Sequence, residues 1–561
     1  MRTRLLIAGP LAVIASLFLA ASAMATAGPF QLTVTTTADN MTVDGQCTLR
    51  EAIADSNANV DSADCPSSPT SENKIGFAAA LGANPVITLN SSLHDFSINT
   101  NDVTITGPAT LDGASDPGFR VLTVSGINLT LTSLTITHGS DIGGNGGGIN
   151  VNGGRLFLNS SSVTGNTETR TGTTGFSQAQ GGGIFSNGAP VTLTDSNVSN
   201  NQAIASLTGA GPGNVLALGG GMEVSGDDVT LDNSVVSDNK ALASHEGAGS
   251  LEGDGGGIRT DGAVLIEHST ISGNLGSATA TGTASISAQG GGLLVHDGPG
   301  IDLELSTIAN NQVKIIGGTS PLIRGGGVED QVPNADDNFI SDTIVGNGLD
   351  PASSTASVSG LNFNSVGIGT GSRNFSNTII ANPVGSAGTN CSGDTPYATS
   401  GAPNDDFPLD VPNACFAAGM AIMNLDPLLG ALGSNGGSTP TMVPSATSPV
   451  IDKGVASDQN DLTEDQRGLT RPVAFSGLIH PFDGSDIGAV EVQRACTGQA
   501  TPSTQCPGPP GPPSPGPPAS SPSSGPTGQR AAAKKHCKKL KGKAKAKKRK
   551  KCIKHAKRLP V

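Results

Sequence analysis

The sequence predicts an all-β chain whose body is a right-handed parallel β-helix, and three observations carry that prediction. Glycine triplets begin at Gly146, Gly181, Gly219, Gly255, Gly290 and Gly325, at intervals of 35, 38, 36, 35 and 35 residues. An asparagine follows each triplet, at Asn166, Asn201, Asn239, Asn274, Asn311 and Asn347, always 19 to 22 residues after the first glycine. Between these landmarks each unit has three short apolar runs, seen after Gly181 as Ile184, then Val191 with Leu193, then Val198. Runs this short and alternating suit strands rather than helices. One such unit cannot bury its inner face alone, so stacked units must supply the core.

Each recurring residue has a geometric reason. Glycines suit corners where backbone approaches backbone or takes positive φ, and the terminal asparagines tolerate the left-handed conformation and can bond to one another as a ladder. The segments between units, at about 167–180, 203–218, 241–254, 276–289 and 312–324, are rich in Gly, Ala, Ser and Thr. They are expected to emerge at one corner as a loop-covered face. Stretches without the triplet, VTITG from Val103, LTLTSLTITHG from Leu129 and NTIIAN from Asn377, read as further coils.

Composition agrees with a repetitive fold of small and β-branched residues. There are 78 glycines, no tryptophan and one tyrosine, which argues against an enzyme with a deep aromatic-lined pocket. Charge is divided. Of 32 Lys and Arg residues, 16 lie between Arg530 and Arg558, and the other 16 stand against 46 Asp and Glu, a balance of −30. The two parts therefore have different partners.

The expected organisation is a signal peptide at 1–27, an N-terminal cap at 28–84, the β-helix at 85–390, a C-terminal region at 391–493, a Pro-rich linker at 494–529 and a Lys-rich tail at 530–561. Arg2 and Arg4 before an apolar run and Ala-x-Ala sites make the first segment a secretory signal. No later segment is long and apolar enough for a transmembrane anchor. Export permits disulfides, and the simplest assignment pairs neighbours: Cys47 with Cys65, Cys391 with Cys415, Cys496 with Cys506 and Cys537 with Cys552, although spacing alone leaves connectivity open. Near the start, Thr48 and Glu51 stand in capping-box positions before apolar Leu49, Ala52 and Ile53, predicting a short helix that plugs the first coil.

Candidate chemistry lies beside the repeats. The residues two positions after each triplet, Asn150, Phe185, Glu223, Arg259, Leu294 and Glu329, are expected to face outward, with Glu223 and Arg259 as a surface ion pair. At the following turn, Asp228, Asp261, His296 and Asp297 come from three successive coils. Carboxylates at strand spacing can hold Ca²⁺ or perform acid/base work on a polysaccharide, and polar turns use the same residues without any chemistry. Asp458, Asp461 and Asp465 form an acidic stretch suited either to weak Ca²⁺ binding or to a solvated loop. No other cofactor is indicated.

The run Cys47-Thr48-Leu49-Arg50-Glu51-Ala52-Ile53 resembles the CSLREA motif found at the start of many exported bacterial β-helix proteins, with Thr48 in place of the usual serine. The triplet units resemble repeats of the pectate-lyase-like superfamily and of polymorphic outer-membrane proteins. NGGSTPTMVPSATSPVIDKG from Asn435, DQRGLTRPV from Asp465 and DIGAVE from Asp486 resemble the choice-of-anchor Q region. These resemblances imply an exported, surface-displayed β-helix and no particular reaction. The combined expectation is a secreted or cell-surface scaffold of adhesin type. Its loop face meets a polysaccharide or matrix ligand, and its Lys-rich tail binds a cell-envelope polyanion by charge alone. The alternative is a polysaccharide lyase or glycoside hydrolase.

Overall fold

Like residues stack on like residues along the whole body. Ile184 pairs with Met222, which pairs in turn with Ile258, Leu293, Val328 and Phe363. Val198, Val236, Ile271, Ile308, Ile344 and Ile380 make a second row, and Leu193, Leu231, Ile266, Leu303, Phe339 and Phe375 a third. All these pairings are parallel, so the body is the expected β-helix, with three strands per coil and the buried rows forming one continuous core. The computed structural model describes residues 30–493, except 61, 66, 71, 117, 351–352, 354–356, 359–361, 366–371, 385–388, 393–396, 400–401, 409–414, 417–421, 457–461 and 480. The signal peptide, the Pro-rich linker, the Lys-rich tail and Cys496, Cys506, Cys537 and Cys552 lie outside the described residues.

The three strands after Gly181 are Ile184–Asn187, Val191–Thr194 and Asn197–Ser199, here called sides 1, 2 and 3. The triplet makes the corner before side 1. Gly181 has φ +66°, and a Cβ on Gly183 would lie 2.8 Å from the carbonyl oxygen of Gly221 in the next coil, so no larger residue fits. The asparagines form the expected ladder. The left-handed residue, however, is the one before each of them: Gly165, Asn200, Asp238, Gly273, Asn310 and Gly346 carry the positive φ.

The segments expected as a loop face are strands. Residues 140–142, 167–172, 202–207, 240–245, 275–280, 312–316 and 348–349 form one parallel sheet, and 175–180, 213–218, 249–254, 285–289, 319–324 and 357–358 form another. Each coil thus throws out two strands joined by a turn, one for each sheet, and these arches stack into a two-sheet fin. The physical reason is a period-2 alternation of small apolar residues. Ala203, Ala205 and Leu207 on one strand, and Val215 and Ala217 on its partner, are buried in a core separate from that of the β-helix. Alanine lets the two sheets approach closely, while the alternate residues, such as Gln202, Ile204 and Ser206, face away from that core.

Both ends of the stack are closed. The helix Leu49–Ala58 has its capping box, with the Glu51 amide donating to Thr48 Oγ1 at 3.1 Å and the Thr48 amide to Glu51 Oε2 at 2.9 Å. Cys47 is bonded to Cys65 beneath it. The stack extends beyond 85–390 in both directions. Phe30–Val34 already pairs parallel with Asn73–Phe77, and Cys391–Ser392 and Asn404–Phe407 continue sides 1 and 3. Cys391 is bonded to Cys415 there, and Phe339, Phe363, Phe375, Tyr397 and Phe416 fill the last coils, with Phe339 and Phe375 stacked at 4.4 Å.

Residues after about 424 form a lobe with few regular elements that docks on side 3. Gln466 accepts from Thr307 Oγ1 at 2.5 Å and donates to Ser269 O and Thr270 Oγ1. Val450 and Ile487 pack on Val345, Ile379 and Ala381.

Candidate functional site

The row two residues after each triplet does not face solvent. Asn150, Phe185, Glu223, Arg259, Leu294, Glu329 and Asn364 are in register along side 1, and the fin closes over them. Opposite, across the glycine corners, runs the last residue of each strand in the second fin sheet: Gln180, Leu218, Asp254, Gln289 and Arg324. The result is a buried polar seam at the root of the fin. Gln331, on side 1, donates across it to Gln289 at 2.8 Å.

The Glu223–Arg259 pair, expected on the surface, is therefore a buried one at 2.6 Å, with Glu223 fully enclosed. Burial pushes the Glu223 carboxyl up to about 7 against the opposing Arg259 charge. Glu329 accepts from Asn364 at 2.7 Å and is pushed by burial up to about 8. These carboxyls hold the seam together and are closed off from an external polymer.

At the next turn the structure brings some candidates together and separates others. Asp261 lies 3.4 Å from His296 and 3.3 Å from Arg259, and accepts from Ser225 Oγ at 3.2 Å. Asp228 is exposed and accepts from the Ala263 amide at 2.9 Å, while Asp297, also exposed, accepts from the next amide, that of Gly298, at 2.8 Å. Asp228 and Asp297 thus fasten turns, and only Asp261 and His296 make contact. Among the described residues no three His, Cys, Asp or Glu side chains gather as a metal site.

Of the acidic stretch, Asp458 and Asp461 lie outside the described residues. Asp465 is buried within the C-terminal lobe. It accepts from the amides of Arg467, Leu469 and Glu491 and pairs with the Arg467 guanidinium at 2.7 Å. Arg471, fully buried, donates to the carbonyls of Gly488 at 2.9 Å and Asp486 at 2.5 Å. Glu491 accepts from the amides of Val473 and Asp486, and Asp486 from those of Asp452 and Val492. The charged residues of DQRG, TRP and DIGAVE therefore build one internal knot that holds the lobe together. Burial pushes the Asp486 carboxyl up to about 7.

The seam opens at its N-terminal end. Strand 175–180 is the first of its sheet, whereas the opposite sheet begins one coil earlier with Ser140–Ile142. The missing half-rung leaves a cavity of about 430 Å³ lined by Arg120, Gly143, Gly144, Asn145, Asn150, Arg170, Phe176, Gln178 and Gln180. Arg120 pairs with Asp141 at 2.9 Å, and Arg170 donates to the Gly143 carbonyl. Sequence reasoning missed Arg120, Arg170 and Phe176 because Arg120 lies 50 residues before Arg170 and no repeated spacing links it to the segment 167–180. The sequence signal for the cavity is that the coil ending at Gly146 is too short to carry both fin strands.

Comparison with protein-family models, curated proteins and solved structures finds no match to this chain.

Proposed function

We propose that this chain is an exported, surface-held β-helix scaffold whose fin contacts an extended polymer, with the Lys-rich tail at 530–561 retaining it on a cell-envelope polyanion. The fin carries this reading. It is a two-sheet blade that repeats its strand positions at every coil, about 4.8 Å apart, which suits a ligand that itself extends along the rod. The carboxyls of side 1 that the fin covers, Glu223 and Glu329, are used in holding the seam. Two disulfides at the ends fit an oxidising extracellular compartment, and among the described residues no helix is long and apolar enough to cross a membrane. The helix Leu49–Ala58, clipped by Cys47–Cys65, and the ionic knot give the CSLREA-like and choice-of-anchor-like residues structural work, which supports that kinship.

Removing 530–561 tests the anchoring part. Retention on intact cells that survives the deletion, or that is insensitive to salt in the full chain, overturns it. The Asp261–His296 contact favours a second reading, a polysaccharide lyase or hydrolase. A cleavage activity on acidic or neutral polysaccharides that Asp261→Ala abolishes would establish that reading in place of the scaffold.

A further inference from the structure

We propose that the first rung of the fin is a strand-addition site, where an extended segment of a partner protein, bearing one acidic side chain, pairs with the free edge of strand 175–180 and supplies the missing half-rung. This goes beyond the scaffold reading and does not depend on what the faces of the fin contact.

The backbone is the first argument. Strand 175–180 pairs on one side only, with 213–218, whereas 167–172 in the other sheet still has Ser140–Ile142 beyond it. The Gly175 amide donates to the Pro212 carbonyl in the following coil at 3.3 Å, and the Gln180 carbonyl accepts from the Gly146 amide in the preceding one at 2.9 Å. Backbone groups alternate in direction along a strand, so the amides and carbonyls of Phe176 and Gln178 face the preceding level, where the described residues place no strand. Exposed edges are commonly blunted by lysine, proline or a bulge, and GFSQAQ has none of these. Such a row of open main-chain groups is a template on which an extended peptide adds as a further strand.

Charge and space select the partner. Arg170 belongs to the inward row that continues as Ala205 and Ala243, and its carbonyl accepts from Ser177 Oγ at 2.9 Å, which sets Arg170 and Ser177 across the fin from each other. The Arg170 guanidinium reaches the Gly143 carbonyl of the preceding coil. It is exposed and has no carboxylate at ion-pair distance among the described residues. Arg120, in the same cavity, is answered by Asp141 at 2.9 Å. Burial pushes the Glu168 carboxyl up to about 8, so that group is neutral at pH 7. One positive charge is left over. An acidic residue stacked on Ser177 meets it with a charge-assisted hydrogen bond. The added strand fills the cavity of about 430 Å³, and its neighbouring outward residue packs on Phe176, which is 61% exposed.

The test is fluorescence anisotropy of a labelled, end-blocked peptide, Thr-Val-Asp-Thr-Ala-Thr, titrated with the full secreted chain. The peptide should bind. Replacing its Asp by Asn, or the protein's Arg170 in Arg170→Gln, should each weaken binding about 10-fold or more, the usual weight of a hydrogen bond to a charged group. Arg170 is exposed, so the melting temperature of Arg170→Gln should not move. An added strand turns only every second amide toward the edge. N-methylating one alternate set of peptide amides should therefore abolish binding to the parent chain, and N-methylating the other set should leave it. The same effect from both sets, equal binding of the Asp and Asn peptides, unchanged binding by Arg170→Gln, or no binding by the parent chain each overturns the site.

Discussion

The side-chain amide of Asn390 donates to Oδ1 of Asp406 at 2.8 Å, and there a one-way row of asparagines ends. Asn166, Asn201, Asn239, Asn274, Asn311, Asn347 and Asn362 each donate from Nδ2 to the Oδ1 of the next, ending on Asn390. A second Nδ2 proton goes to a carbonyl of the preceding coil, as from Asn239 to Val198, and each Oδ1 also takes a backbone amide, as from Asn201 to Asn239. Such a row needs an acceptor without a competing donor at its end, which a carboxylate supplies.

Asp406→Asn should therefore destabilise the protein although it changes only one atom. Oδ1 accepts from Asn390 and Oδ2 from the Cys415 amide, so an amide side chain must set its own donor against one of them. The expected loss is about 1–3 kcal/mol in denaturant unfolding. Asn239→Ala, in mid-row, should cost about as much for each of the groups it orphans: Asn201 Nδ2, the Asn201 amide and the Val198 carbonyl.

Stability should fall as pH rises from about 5 to 9. Glu168 points into the fin where the next rungs carry Ala203 and Ala241, and burial, with Asp141 beside it, pushes its carboxyl up to about 8. A folded-state value above the unfolded one of about 4.3 means that the native fin holds a proton which the unfolded chain has released. That stability is complete below the unfolded value and lost as pH passes through the folded one. Melting curves across this range should show the decline, and Glu168→Gln should reduce its slope. An equal slope in the variant refutes the assignment to Glu168.

The N-terminal cap should depend on its disulfide. Cys47 and Cys65 close a loop of 18 residues, and the paired replacement Cys47→Ser with Cys65→Ser should cost about 3 kcal/mol, the chain-entropy value for a loop of this size. Hydrogen exchange should localise the loss to the helix Leu49–Ala58 and to Phe30–Val34, leaving the central coils protected.

The coils were legible in the sequence because their geometry admits so few residues. A corner with φ +66° at Gly181 and no room for a Cβ at Gly183 must recur in every unit, and a ladder needs an amide in each coil. The fin was illegible for the opposite reason. Its buried positions are alanines such as Ala203, Ala205 and Ala217, which have low strand preference and resemble loop composition among Gly, Ser and Thr. That error propagated to Glu223 and Arg259, whose outward direction on side 1 was read correctly. The sheet that covers them was not foreseen. Arg120, Arg170 and Phe176 line one cavity only because the first rung lacks its second strand, and no local spacing encodes that.

Gln466 should decide whether the C-terminal lobe stays on the β-helix. Its Oε1 accepts from Thr307, and its Nε2 is close to Ser269 O at 3.0 Å, Thr270 Oγ1 at 2.9 Å and Thr439 Oγ1 at 3.0 Å. All are buried. Gln466→Leu keeps the approximate volume but removes these bonds and leaves the buried Thr307 hydroxyl without its acceptor, which costs about 1–3 kcal/mol. The ionic knot of Asp465, Arg467, Arg471, Asp486 and Glu491 is internal to the lobe and should survive the change. The expected result is faster proteolysis in the segment joining coil and lobe, near 424–430, with the 427–493 fragment itself resistant. Digestion within the lobe at the same rate would show that the knot, too, depends on docking.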